Sequence, residues 1–338
     1  MKAIGFYHPL PLTDPESLID LEIATPLPTG RDLLVNVHAV SVNPVDVKVR
    51  ASQSQGEPSP HILGWDVAGV IAQLGSECTL FKPGDEVFYA GSIARPGGDS
   101  EFHLVDERIV GNKPKSLNFA QAAALPLTAI TAWEALFDRL AIPRQAEQNA
   151  EKSLLIIGAA GGVGSIATQL GRLAGVMVIG TASRPESIQW AKEHGAVYTI
   201  SHREAFALQL QRLGFEQVDY IFCLNSTEKH WRNMTEVIAP QGKICSIVEM
   251  EEPVDLTALQ RKSAIFVWEW MFTRPFYQTN DMIEQHHLLN TMADLVDAGK
   301  IQTTLTTRLS PITASNIRKA HELVEKGTMI GKVVLEQF

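Results

Sequence analysis

An apolar run, Ser153-Leu154-Leu155-Ile156-Ile157, meets the small-residue stretch Gly158-Ala159-Ala160-Gly161-Gly162-Val163-Gly164 and passes at once into a helix-forming segment. Small residues at such a turn bare the backbone, and bare amides at a helix start bind phosphate oxygens. In the register AxGxxG, Ala159 takes the first position, Gly161 lets the backbone approach a pyrophosphate, and Gly164 lets helix and strand pack closely. Ala160, Gly161, Gly162, Val163 and Gly164 are therefore the expected diphosphate cradle. The same residues also suit an ordinary strand-to-helix turn, so the choice rests on the downstream residues.

About 20 residues further on, an NAD site carries Asp or Glu for the ribose 2′-hydroxyl. Here the second strand ends Gly180-Thr181-Ala182-Ser183-Arg184, with Ala182 at the acidic position. No carboxylate repels a 2′-phosphate, Ser183 and Arg184 can donate to one, and NADPH is the expected cofactor. His202, after the third strand, belongs near that phosphate or on the surface. Asn225 and Val248 fall at carboxyl ends of later strands, where open α/β sheets bind ligands. Lys332, in Gly331-Lys332-Val333-Val334, approaches the cofactor phosphates or is solvated.

The elements that must position these residues read as an α/β chain. Strands over 153–158, 176–181, 196–201, 218–224 and 242–248 alternate with helices over 163–175, 185–195, 204–213 and 228–238. That alternation, with near-continuous apolar strands, predicts a doubly wound parallel sheet covered on both faces. Residues 263–268 should add a sixth strand at its edge. Before Leu125, short β-type runs over 32–42, 67–74, 86–89 and 101–105 sit between Pro and Gly breaks, the pattern of a small β-barrel. After about residue 275 come a helix over 279–298, a strand over 303–309, a helix following Ser310-Pro311 and a strand over 332–336.

At 338 residues the chain is long enough for roughly two domains. Its 29 basic and 38 acidic residues leave a net charge of −9, which disfavours nucleic acid and anionic membrane as partners. The three cysteines, Cys78, Cys223 and Cys245, form no disulfide framework or metal knuckle. No signal sequence and no long apolar span is visible, and a cytoplasmic location is expected.

The segments NPVD (43–46), KPGDEV (82–87), LPLTAITAWEAL (125–136), AAGGVGS (159–165) and GKVVL (331–335) resemble the quinone oxidoreductase branch of the medium-chain dehydrogenase/reductase superfamily. GWDVAG (64–69), TASRPES (181–187) and FVWEWMFTR (266–274) resemble its zinc-type alcohol dehydrogenase-like subgroup. The resemblance implies a GroES-like catalytic domain from 1–126 and 276–338, a Rossmann domain from 127–275, and a homodimer. It also implies that Asn43 faces nicotinamide and substrate and that Thr128 contacts the cofactor.

Alcohol dehydrogenases of the superfamily hold zinc with a Cys, the His of a GHE motif and a later Cys. Those positions read Asn43, Gly64-Trp65-Asp66 and Leu127 or Thr128 here, so no zinc is expected. A metal on His61, Asp66 and His103 obeys no known ligand spacing. Hydride acceptors must then be electrophilic by themselves, which points to quinones or α,β-unsaturated carbonyls as small-molecule substrates. Asn43, Lys48, Trp65 and Asp66 are the catalytic candidates. Lys48 stands near the position of a family Tyr, and acts as an acid only if burial lowers its pKa. Tyr89 and His61 are further acid candidates, and Trp65, Trp268, Trp270, Met271 and Phe272 either wall a flat substrate or pack the core. A zinc alcohol dehydrogenase and a non-catalytic NADPH-binding sensor are the competing readings.

Overall fold

A computed structural model describes residues 1–52 and 59–338. In chain order the elements begin with β1 (Lys2–Phe6), β2 (Ile19–Glu22), β3 (Asp32–Ser41), α1 (Pro44–Ser52), β4 (His61–Ile62), β5 (Val67–Leu74), β6 (Glu86–Tyr89), β7 (Phe102–Asp106), β8 (Gly111–Asn112), α2 (Phe119–Ala123) and α3 (Pro126–Trp133). They continue with β9 (Ser153–Ile157), α4 (Gly162–Leu173), β10 (Met177–Thr181), α5 (Pro185–Glu193), β11 (Tyr198–Ile200), α6 (Phe206–Arg212), β12 (Val218–Cys223), α7 (Thr227–Val237), β13 (Ile238–Ser246) and β14 (Ile265–Trp268). The chain closes with α8 (Thr273–Tyr277), α9 (Glu284–Asp297), β15 (Leu305–Leu309), α10 (Ala314–Glu325) and β16 (Lys332–Glu336). Two compact units result, Met1–Ile130 with Phe272–Phe338, and Thr131–Met271.

In the first unit, the order β15-β16-β3-β5-β6-β8, with β7 also on β3, makes the main sheet, and β2-β1-β4 makes a smaller one. β16 runs antiparallel to β3 with Val334 opposite Ser41 and Leu335 opposite Val40. That register carries Lys332, the first residue of β16, past the end of β3 toward Val42 and Asn43. α1 starts on Pro44, whose missing N–H costs nothing at a first helical position. Asp46, in its first turn, accepts the Asn43 N–H at 2.6 Å, so the side chain reaches back over the helix start.

The second unit is a six-stranded parallel sheet in the order β11-β10-β9-β12-β13-β14. Every residue of β9 is buried, as a strand covered on both faces requires. Leu155, Ile157, Ile179, Phe206, Ile221 and Ile244 are among the side chains of one apolar cluster there. The expected sixth strand is β14 and lies at the edge.

Some boundaries differ from expectation. The helix expected from 279 starts at Glu284, because Asp281 accepts from Thr279 Oγ1 at 2.6 Å and from Arg274 Nε at 3.0 Å and holds the preceding turn. The strand expected from 242 starts at Ile238. A π-helical stretch over Glu134–Arg139 follows α3, with no sequence signal. Among the described residues no helix is long and apolar enough to cross a membrane.

Candidate active site

In the first unit Asn43, Asp66 and Lys332 form one buried cluster. Asp66, just before β5, accepts the Asn43 Nδ2–H at 2.9 Å and the Lys332 ammonium at 3.0 Å on Oδ2, and the Leu127 N–H at 2.8 Å on Oδ1. It therefore ties the opening of α3 to the end of β3 and the start of β16. Lys332 Nζ also donates to Val42 O at 3.2 Å and to Asn43 Oδ1. Burial pushes the Asp66 carboxyl up, while the Lys332 ammonium, the Leu127 N–H and the Asn43 amide pull it back.

Two carboxyls that the sequence reading passed over adjoin this cluster. Asp46 takes the Asn43 and Gly64 N–H groups at 2.6 and 3.0 Å, yet burial still raises its pKa to about 6. Asp99 is buried so close to Gly64 that a Cβ there would lie 2.5 Å from its Oδ1, and burial and Asp46 hold its carboxyl well above the usual range. Asp46 had a readable signal, the Asn-Pro-Val-Asp spacing of a helix start; Asp99 had none.

The remaining candidates lie as follows. Lys48 is exposed on α1. Lys332 is buried rather than solvated, and its ammonium is enclosed by the three acceptors already named. Trp65 is core: its indole N–H donates to Ser92 O at 3.2 Å and its ring meets Phe272 edge-on at 6.1 Å. Trp268 and Trp270 are exposed, whereas Met271 and Phe272 are buried. Thr128 donates to Leu125 O at 2.9 Å. His103 is bonded through both ring nitrogens, to Tyr89 Oη at 3.1 Å and Pro96 O at 2.9 Å, and burial lowers its pKa to about 4. Burial also raises the Tyr89 phenol well above its usual value, against a role as acid. His61 is half-buried against Phe6.

In the second unit the turn from β9 to α4 separates its glycines by function. A Cβ on Gly164 would sit 2.2 Å from Gly158 O, so that glycine is demanded by packing. A Cβ on Gly161 would meet only Gly158 O, at 3.6 Å. Packing does not require a glycine at 161, and the missing side chain leaves the backbone there open to close approach. No side chain caps α4, leaving its first N–H groups for a ligand. Thr181 Oγ1 accepts the Gly158 N–H at 2.9 Å and ties the turn to the end of β10. Arg184 follows, half-buried and 3.7 Å from Glu186, with Ser183 beside it. His202 and Asn225 are exposed, and Val248 is half-buried. All three follow the carboxyl ends of strands.

Residues 29–115 match the alcohol dehydrogenase GroES-like domain, and residues 194–335 match the zinc-binding dehydrogenase domain. A zinc-type alcohol dehydrogenase-like protein of Staphylococcus aureus MSSA476 is 42% identical over 335 residues, 99% of either chain. The chain belongs to the medium-chain dehydrogenase/reductase superfamily. It is an oxidoreductase of that family, α/β in class, with a GroES-like part and a Rossmann-like parallel sheet. A solved Rhizobium etli CFN 42 protein, provisionally called a zinc-dependent alcohol dehydrogenase, superimposes with a TM-score of 0.95 at 51% identity, over 100% of this chain and 98% of that one. The Escherichia coli quinone oxidoreductase complexed with NADPH shares the fold, with a TM-score of 0.82 at 24% identity, over 99% and 100% of the two chains.

The dehydrogenase domain's description makes zinc the group to test. Among the described residues no group of three or more His, Cys, Asp or Glu is placed to hold a metal ion. At the position expected from the sequence, Asn43 Oδ1 and Asp66 Oδ2 both already face the Lys332 ammonium. A dication beside that ammonium would add like charge in a buried space, and Trp65 offers no lone pair for it. These residues do not fit zinc. The Gly161 cradle does fit a dinucleotide diphosphate.

Proposed function

We propose that this protein is a zinc-independent, NADPH-dependent oxidoreductase that transfers hydride to quinones or α,β-unsaturated carbonyls. The observation that carries the reading is the replacement of a metal-ligand set by the buried Asn43–Asp66–Lys332 cluster in a chain that keeps an open glycine cradle. NADPH, when bound, supplies the hydride. In the second unit, Ala160 to Gly164 are the residues proposed for its diphosphate and Ser183 and Arg184 for its 2′-phosphate, with His202, Asn225 and Val248 at the neighbouring strand ends; in the first unit, Asn43 and Thr128 keep the nicotinamide and cofactor roles that the family resemblance gives them. With a residue set that cannot hold a Lewis acid, the acceptor must be electrophilic by itself. No exposed acid is needed for a quinone, because water protonates the hydroquinone anion. The E. coli enzyme of the same fold, a quinone oxidoreductase holding NADPH, supports the reading.

Arg184→Ala tests the cofactor. NADPH affinity should fall roughly tenfold to a hundredfold, the worth of a charge-assisted pair, while NADH affinity stays put. Equal losses in a fluorescence titration would reject Arg184 as the phosphate ligand.

We also propose a homodimer. β14 is an edge strand with Ile265 46% and Trp268 48% exposed, and an apolar edge recruits a second strand unless covered. Pairing with its own copy about a two-fold axis satisfies the ladder. Light scattering should give twice 37.1 kDa, and Val267→Lys should shift the mass toward 37.1 kDa. A wild-type mass of one chain at micromolar concentration rejects the dimer.

One observation favours a second reading, an NADPH-binding protein without turnover: the polar atoms of Asp66 and Lys332 are all engaged within the first unit. NADPH that binds but is never oxidised by any acceptor of a quinone and enone panel would select it.

A further inference from the structure

Lys332 is 3% exposed, and its ammonium has three acceptors for its three protons: Val42 O at 3.2 Å, Asp66 Oδ2 at 3.0 Å, and Asn43 Oδ1. With every proton taken, it has none to offer a ligand. Its partners come from the end of β3 and the start of β5, so it is placed to hold groups rather than to react. The group most affected is the Asn43 amide. Asn43 Oδ1 faces the ammonium, and Nδ2 faces the Asp66 carboxylate at 2.9 Å. Turning the amide over would press its NH2 group on an ammonium and its carbonyl on a carboxylate, two repulsive contacts in place of two attractive ones. The orientation is therefore fixed by charge. It commits one Nδ2 proton to Asp66 and, among the described residues, leaves the other with Ser41 O at 3.4 Å, a long and weak bond. A cation on the carbonyl oxygen also withdraws density from the amide and strengthens that N–H as a donor.

We infer that Lys332 is a positioning residue, whose ammonium locks the Asn43 amide as an oriented proton donor. The inference rests on the hydride-transfer reading, in which the developing negative charge on an acceptor oxygen needs such a donor. Lys332 acts through Asn43 and Asp66 and touches neither cofactor nor substrate.

The test uses the full chain and a charge-neutral pair, Lys332→Met with Asp66→Asn, so that no buried charge is stranded. NADPH affinity should stay within about twofold of wild type, since the cradle lies elsewhere in the chain, while kcat for a quinone falls by about tenfold or more with little change in KM. A kcat within about threefold of wild type in the folded double variant would overturn the inference.

A second measurement needs no turnover and no variant beyond one used for assignment. In nitrogen-resolved NMR of the wild-type protein, a slowly exchanging lysine ammonium, assigned by its loss in Lys332→Arg, should show contacts to the Asn43 side-chain amide. A Lys332 ammonium in fast exchange, or one without contact to Asn43, also overturns it. If no quinone or enone of the panel is reduced by NADPH on the wild-type protein, the hydride-transfer reading fails, and the NMR result alone decides whether Lys332 orients Asn43.

Discussion

Gly161→Ala and Gly164→Ala are expected to fail in opposite ways, although the two glycines are three residues apart in one turn. At Gly164 the added methyl would lie 2.2 Å from Gly158 O and 2.8 Å from Ala159 backbone atoms, none of which is the end of a flexible side chain. The turn must shift, and overpacking of this kind costs about 3 kcal/mol. At Gly161 the nearest atom is 3.6 Å away, and φ is −75°, which alanine adopts freely. That variant should unfold at nearly the wild-type urea concentration. Its methyl nonetheless stands where a diphosphate must approach the backbone, so NADPH affinity should drop about a hundredfold, or about 2.7 kcal/mol. Urea melts and NADPH titrations on both variants check this. Undiminished NADPH binding by Gly161→Ala would mean that the turn is only a strand-to-helix connection.

Lys332→Met should be among the most destabilising single changes in the first unit. Asp66 is wholly buried, and removing its ammonium strands a carboxylate, for which the usual loss is about 3–5 kcal/mol. Adding Asp66→Asn should recover most of that loss, because the remaining groups are neutral and similar in shape. Chemical denaturation of the three variants gives the coupling directly. A Lys332→Met protein as stable as wild type would show that the ion pair at 3.0 Å is not formed in solution.

How much of the molecule was legible in the sequence depends on how local each cause is. The glycine turn reads directly because strand, turn and helix are contiguous, and β9, α4 and β10 fall within a few residues of their expected bounds. The parallel sheet reads from its buried apolar strands. The partners of Lys332 did not read, because Asp66 and Asn43 lie 266 and 289 residues away and the β16–β3 register is what brings them together. The exposure of Lys48 did not read for the converse reason: it is near Asn43 in sequence, and proximity along a helix does not set burial. Trp65 was placed by a ligand position rather than by its environment, which is apolar core with one carbonyl for its N–H.

The most direct test of the central claim is NADPH oxidation by the purified protein, with its metal content measured alongside, against quinones, enones and simple ketones, before and after treatment with a strong chelator. The account predicts turnover of quinones or enones that the chelator leaves unchanged, no turnover of simple ketones, and zinc far below one per chain. Stoichiometric zinc together with ketone or alcohol turnover that chelation abolishes would contradict it.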